Sequence, residues 1–507
     1  MSTDGVPQPF RGPWEGDTKI LIGIDIGTTQ SGVAFAFLKR GESQALHRVT
    51  RWPGQEAHNQ QARIPTLIWY DNNAKAVAFG AEALSYAVEE EAEDNALPPG
   101  VSIRQIYSDF LGYLLKNTRA VFENRLLDGR MIWQQYSPTM EVVIAHPNGW
   151  GIREQEFLRA AAVAAGFSTS DQASSKICFV TEAEASIQFC VYHTNLGTVL
   201  QPGMNFAVCD AGGSTVDTTL YSVASTYPIL RIEEKRASAC VQAGAIFVDL
   251  QAEGYLRRIL QVGGLNQDDI VEYTSAGVKD FESGAKRVFK DEISDQSVVI
   301  AHTRFNYAAI RARRGRITLP GSVVKSFFDV CMKEIVCSVD QQLSGFNVPH
   351  ILLVGGFGDS PYLRQEFRKR YEPQGCQVSS TNDSSSKAVA DGAVLWAVAQ
   401  RTFPRVLQFS WGIETSVTFD PNDPDHVQRK GAPSTLGWTT VPGRWKKLVR
   451  KGAPLEGENM ATIIPFSLEF PASTGLSIFE LDIYSYSGDD EPVWMMNKQG
   501  THDYLKS

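Results

Sequence analysis

The sequence has no strong excess of charge of either sign. Its 507 residues hold 48 Lys plus Arg against 57 Asp plus Glu, a net charge of −9. So mildly acidic a chain has no general field for drawing in a phosphate backbone or an anionic lipid surface, which argues against nucleic-acid binding. Long apolar runs are missing too: none approaches the roughly 20 residues that cross a bilayer, so no membrane span is expected. Residues 1–14 are polar, carry Pro7, Pro9 and Pro13, and lack the apolar stretch of a signal peptide. The seven cysteines form no CxxC pair, which removes the common zinc-ribbon and dithiol motifs. Cys178, Cys209 and Cys331 sit in apolar stretches and read as small buried hydrophobes of a reducing compartment, so the expected location is cytoplasmic. Hydrophobic residues at 43% and charged residues at 21% are ordinary globular usage, and the length predicts three or four domains.

What the chain does have is an alternation of strands and helices. After a polar segment (1–18) read as a flexible tail, the β-branched run Ile20-Leu21-Ile22-Gly23-Ile24-Asp25-Ile26 predicts a strand buried on both faces. Gly27-Thr28-Thr29 turns the chain, and residues 32–37 return as a second strand. Helices are expected near 104–124 and 153–165, the latter closed by Gly166, then a strand at 177–180 and a helix at 182–192. The opening grammar recurs at Asn205-Phe206-Ala207-Val208-Cys209-Asp210, followed by Ala211-Gly212-Gly213-Ser214-Thr215 and a strand from Asp217 to Val223. Two copies of strand, Asp-x-Gly, small hydroxyl residues and strand predict two related lobes, not a solenoid. Helices follow near 275–290 and 322–343, then the buried strand Ile351-Leu352-Leu353-Val354 and Gly355-Gly356. Ser360-Pro361 is an N-cap before proline at the first helical position, and a last helix spans 386–400. Beyond Pro404 the Thr-, Ser-, Pro- and aromatic-rich texture predicts a small β-domain; its basic cluster, from Arg444 to Lys451, reads as a solvated strand edge.

Gly-rich turns at strand ends present several backbone N–H groups to a phosphate and allow close approach. Each of the two turns also ends a strand with a carboxylate, Asp25 or Asp210. Carboxylates converging on one cleft repel unless a cation lies between them, and Mg²⁺ suits that place because it keeps most of its waters. A third motif, Leu353-Val354-Gly355-Gly356-Phe357-Gly358-Asp359-Ser360-Pro361, offers a side-chain-free surface for a flat base or ribose; the alternative is a plain strand-to-helix turn.

The order and wording of the three motifs resemble the actin-like ATPase superfamily, and in particular the heat-shock protein 70-like chaperones. Gly23-Ile24-Asp25-Ile26-Gly27-Thr28-Thr29 looks like their first phosphate motif, and the D-x-G-G-S-T-x-D segment from Asp210 to Asp217 looks like their second. Val354-Gly355-Gly356 with Ser360-Pro361 is similar to the adenosine motif of a divergent fungal and animal branch with GGF-x-x-SPYL wording. Val142 to Pro147 and Val180 to Ala185 resemble first-lobe elements.

The resemblance implies an α/β fold: two duplicated ribonuclease H-like lobes (19–200 and 201–385) around a nucleotide cleft, a helix returning to the first lobe (386–404), and an incomplete β-domain (405–507). It implies ATP/ADP and Mg²⁺ as cofactors. Gly27, Thr28, Thr29, Gly212, Gly213, Ser214 and Thr215 take phosphates, Thr215 the terminal one. Asp25, Glu182 and Asp210 hold Mg²⁺ through waters. Asp217, with Asp25 as competitor, orients the attacking water. Gly244 falls on the ribose side, Lys286 and Arg287 pack on adenine with Glu282 one residue out of register, and Gly355, Gly356 and Phe357 meet the nucleoside. Implied partners are the nucleotide, client polypeptides and co-chaperones.

Three departures stand out. No lysine between Gly80 and Gln105 matches the family's catalytic lysine, Ala183 replaces the lobe-coupling proline, and a family aspartate falls on Ser386. The resulting expectation is a slowly hydrolysing, ATP-binding chaperone-like switch. The alternatives are a nucleotide-binding scaffold that has lost catalysis and a sugar kinase of the same superfamily.

Overall fold

Two apolar runs, each closed by an aspartate, become the central strands of two sheets built to the same plan. The computed structural model describes residues 10, 12–55, 62–89, 99–227, 229–380, 388–402, 410–429, 431–433, 437–450, 481–486, 492–495 and 504–506. Contacts divide the chain into two units, Met1–Thr402 and Phe403–Ser507.

In the first unit β1 (Lys19–Ile26) and β2 (Gln30–Leu38) form an antiparallel hairpin, and β2 also pairs with β3 (His47–Arg48) and β4 (Arg63–Pro65). On its other side β1 runs parallel to β5 (Glu141–His146), and β5 runs parallel to β6 (Ile177–Thr181). The strand order is β3-β2-β1-β5-β6. The second sheet repeats the pattern. β7 (Asn205–Ala211) pairs antiparallel with β8 (Val216–Ser225), and β8 continues to β9 (Arg231–Glu234) and β10 (Ala239–Val241). On its far side β7 runs parallel to β11 (His350–Val354) and β11 to β12 (Gln377–Ser379), giving the order β9-β8-β7-β11-β12. β1 is buried along almost its whole length, as a strand covered on both faces must be.

Helices cover both sheets. α1 (Ile103–Arg125) starts at Ser102, whose hydroxyl accepts the Gln105 N–H at 3.2 Å, and α2 (Ile152–Ala164) packs against it. α3 (Glu182–His193) leaves β6 with Thr181 as its N-cap. In the second half come α4 (Ala245–Val262), α5 (Gln267–Asp280), α6 (Gly321–Leu343) and α7 (Pro361–Tyr371), the last capped by the Ser360 hydroxyl. α8 (Ala388–Thr402) returns to pack on β1, β2 and α3. Its approach depends on two glycines: a Cβ on Gly23 would stand 2.4 Å from the Ala390 carbonyl oxygen, and one on Gly392 only 1.9 Å from that of Ala185.

Two expectations are corrected. The polar N-terminal segment is not a free tail over residues 12–18: Trp14 is 4% exposed, its indole N–H donates to the Asp17 carbonyl at 2.8 Å, and its ring packs in the cluster of Leu21, Leu38 and Val398. One large aromatic outweighs its polar flanks. The helix expected from residue 275 starts earlier, because the Asn266 side chain caps Asp269 at 2.8 Å and Asp268 and Asp269 complement the first turn. It ends at Asp280 in a π-helical turn, Phe281–Ala285.

The described residues of the second unit include a short helix, Pro424–Arg429, and a five-stranded antiparallel sheet, in the order β14 (Ala432–Pro433), β15 (Thr439–Val449), β13 (Ser410–Thr418), β16 (Tyr484–Tyr486) and β17 (Tyr504–Lys506). Its small core holds Trp445, Tyr486 and Met495. The basic strand β15 is flanked on both sides by strands, and the Arg444 guanidinium lies 5.2 Å from the Trp494 ring centre. Ser386, Lys451 and much of the expected β-domain lie outside the described residues.

The tight contact at Gly392 predicts that Gly392→Ala, which drives a Cβ into a backbone carbonyl, destabilises the first unit by about 1–3 kcal/mol. Gly254→Ala, on α4 with open space around its Cβ, is expected to stabilise by about 0.5–1 kcal/mol. Chemical denaturation of the two variants against the parent checks both signs.

Candidate functional site

The two Asp-bearing strands deliver their turns to one place. Gly213 of the second turn lies so close to Thr29 of the first that a Cβ added there would stand 2.3 Å from the Thr29 hydroxyl oxygen. The first turn is braced from β4, where the Thr66 N–H donates to the Thr29 carbonyl at 3.0 Å and the Thr66 hydroxyl to that of Gly27 at 2.7 Å. Thr28 stands exposed beside it.

The second turn is held by the start of α4. The N–H groups of Gly244, Ala245 and Ile246 donate to the carbonyls of Ser214, Gly212 and Gly213 at 3.1, 3.2 and 2.9 Å. Those are orphan donors of a helix N-terminus, and here they fix a loop. A Cβ on Gly244 would stand 2.4 Å from the Gly213 oxygen, so glycine is required for this support. The third motif comes equally near: Gly355, at φ +84°, leaves only 2.3 Å between a would-be Cβ and Asp210 Oδ1. Gly356 is exposed with open space above it.

Four carboxylates share this cleft. Asp25, 3% exposed, pairs with the Arg63 guanidinium, yet burial raises its pKa above the usual carboxylate range. Glu182, at the first turn of α3, is pushed well up by burial and then by the charges of Asp25, Asp210 and Asp217. Burial and Asp217 push Asp210 up to about 7. Asp217, directly opposite Asp210 on β8, is raised by burial and held back by hydrogen bonds from Cys240 and Thr215. The Arg63 charge pulls Asp25, Glu182 and Asp210 downward. Among the described residues no three acidic, His or Cys side chains are close enough to ligate one ion directly. The four carboxylates form a hard, all-oxygen donor set, chemistry that would fit a hydrated Mg²⁺.

Not every residue singled out in the sequence lies here as expected. Phe357 is corrected: its ring is 4% exposed and stacks at 6.1 Å on Phe328 inside the second core, so it fills the turn and faces no base. Lys286 is pinned by Asp249 of α4 at 2.5 Å, and its stem is mostly covered. Arg287 next to it is exposed, its Nε donating to the Glu282 carbonyl at 3.3 Å. Sequence reasoning missed Arg63, Cys240 and Asn148. The Asn148 amide reaches from the end of β5 to Thr219 Oγ1 at 2.9 Å and the Tyr221 hydroxyl at 3.0 Å, joining the two halves. No local signal marks these three; each gains its place from pairing across the sheets.

Two like-patterned sheets, facing glycine turns and an acid-lined cleft are consistent with an actin-like ATPase fold. Similarity to known proteins points the same way. The chain is 20% identical to human heat shock 70 kDa protein 12A over an alignment of 482 positions, covering 75% of this chain and 69% of that protein. The mouse protein 12A gives the same identity and coverage. Human heat shock 70 kDa protein 12B is 22% identical over 328 positions, covering 50% of this chain and 47% of its own length. No family model matches the chain. These distant similarities suggest a heat-shock 70-like, nucleotide-binding protein.

The raised carboxylates set a pH dependence. Asp210 ionises near 3.9 when unfolded and at about 7 in the fold, so between these values the folded state binds more protons than the unfolded one. Its contribution to stability is therefore fully present below about pH 4 and is lost as pH rises through 7. In the absence of metal and nucleotide, Asp210→Asn is expected to gain stability over the parent as pH is raised from 5 to 8. Thermal unfolding across that range checks it; a difference that shrinks with rising pH refutes it.

Proposed function

We propose that the chain is an ATP-binding, slowly ATP-hydrolysing switch of the heat-shock 70 type, with the nucleotide held between two duplicated lobes. The observation that carries this reading is the facing of the two turns: Thr29 and Gly213 are in contact, with four carboxylates immediately behind them. Neither a hairpin nor a fold core needs that arrangement, since it concentrates repulsion at strand ends that must then be offset.

In this reading Thr28, Thr29, Gly212, Gly213, Ser214 and Thr215 turn N–H and hydroxyl donors to the phosphate chain, and Gly355 and Gly356 leave room for the nucleoside. Asp25, Glu182 and Asp210 hold a hydrated Mg²⁺, which supplies positive charge to the phosphate oxygens. Asp217, accepting from Thr215 and Cys240, orients the attacking water and takes up its proton. Gly244 acts by supporting the second turn, and Lys286 by tying the π-helical turn to α4. Domain closure around the ligand is the response of such a cleft that a switch uses.

Saturation with Mg-ATP at about a hundred times its Kd is expected to add roughly 2.7 kcal/mol of stability. Asp210→Asn abolishes that gain, whereas Asp217→Asn keeps it and slows turnover by about a hundredfold or more. Thermal unfolding beside a phosphate-release assay reads both. Binding without measurable turnover in the parent favours the scaffold alternative, and no shift at millimolar Mg-ATP overturns the nucleotide reading altogether.

A further inference from the structure

One guanidinium, that of Arg63, acts on three of the four carboxylates of the cleft, and it comes from a separate element. Arg63 sits on β4, where it pairs with Gly32 of β2. Three residues on, Thr66 makes the two hydrogen bonds that brace the first turn at Thr29 and Gly27. The position of Arg63 is therefore locked to the turn that would receive phosphate. Its side chain is 19% exposed, its guanidinium pairs with Asp25, and its Nε is buried with no hydrogen-bond partner. Buried N–H donors are seldom left unpaired, and each that is costs stability unless it serves something else. Asp25 is also one of the carboxylates that a hydrated cation would occupy. A divalent ion arriving beside Asp25 competes for that charge and loosens the hold on the guanidinium.

We infer that Arg63, held on β4 beside the first turn, reads the terminal phosphoryl group of a bound nucleoside triphosphate. The inference rests on the nucleotide reading of the cleft and adds to it a preference for triphosphate over diphosphate. Charge and shape both suit this role, since the planar fork of a guanidinium can meet two phosphate oxygens at once. The competing role is simpler, a counter-charge that offsets part of the cost of burying Asp25. A counter-charge alone has no reason to distinguish ATP from ADP.

Calorimetric titration of the full chain with Mg-ADP, and with the Mg complex of an ATP analogue whose β–γ bridge is nitrogen, separates the two. Arg63→Gln removes the charge and leaves a shorter, neutral amide donor; Arg63→Lys keeps the charge without the fork. The expected result is at least a tenfold loss of analogue affinity in Arg63→Gln with ADP affinity changed less than threefold, and an intermediate loss in Arg63→Lys. Equal effects on both nucleotides, or none on either, overturn the inference and leave Arg63 as a counter-charge. A parent protein that binds neither nucleotide overturns instead the reading of the cleft on which the inference depends, and the inference falls with it.

Discussion

Repulsion among Asp25, Glu182, Asp210 and Asp217 is the constraint around which the first unit is arranged. Four carboxylates converging at strand ends cannot all be ionised in a shielded cleft without a cation among them, and here Arg63 supplies that charge to three of the four. The backbone is organised to keep this costly cluster in place. β7 and β8 set Asp210 directly opposite Asp217, β11 brings Gly355 against Asp210, and α3 starts with Glu182 in its first turn. A group whose pKa is raised by its surroundings is one whose charge state is decided by what enters the cleft.

Much of the frame was legible because it is written in local chemistry. The apolar runs at β1, β7 and β11 declare buried strands, glycines declare the turns, and Ser360-Pro361 declares the start of α7. The recurrence of strand, Asp-x-Gly and strand forecast two like-built units of topology, and the two sheets do have the same strand order. Asp25 and Asp210 were legible as carboxylates near the ends of apolar strands, whereas Glu182 and Asp217 were singled out only through the family resemblance.

The rest depends on contacts between distant parts of the chain. Nothing near Arg63 distinguishes it from other arginines; its place comes from β4 docking on β2. Lys286 looks free until α4 presents Asp249, 37 residues earlier in sequence. Phe357 follows paired glycines and could face either side of its turn, and the aromatic core of Phe328 and Tyr362 decides for burial. Gly244 illustrates a third case. The residue was singled out, but its work is to let α4 donate three N–H groups to the second turn, a role that no spacing rule conveys.

The rigidity of the first turn is in the end a property of the whole first unit. β1 carries Ile20, Ile22 and Ile24 toward one core and Leu21 toward another that includes Val394 and Val398 of α8. Asp25 lies two residues beyond Gly23, where α8 comes close against β1. A helix formed by residues 388–402, after the second sheet is complete, thus covers one face of the strand that holds the first carboxylate. The first half is completed by a helix that follows the second half in sequence. Because packed interiors transmit displacement and do not absorb it, α8, packed on β1, β2 and α3, holds the strand of Asp25 firm where Thr29 meets Gly213.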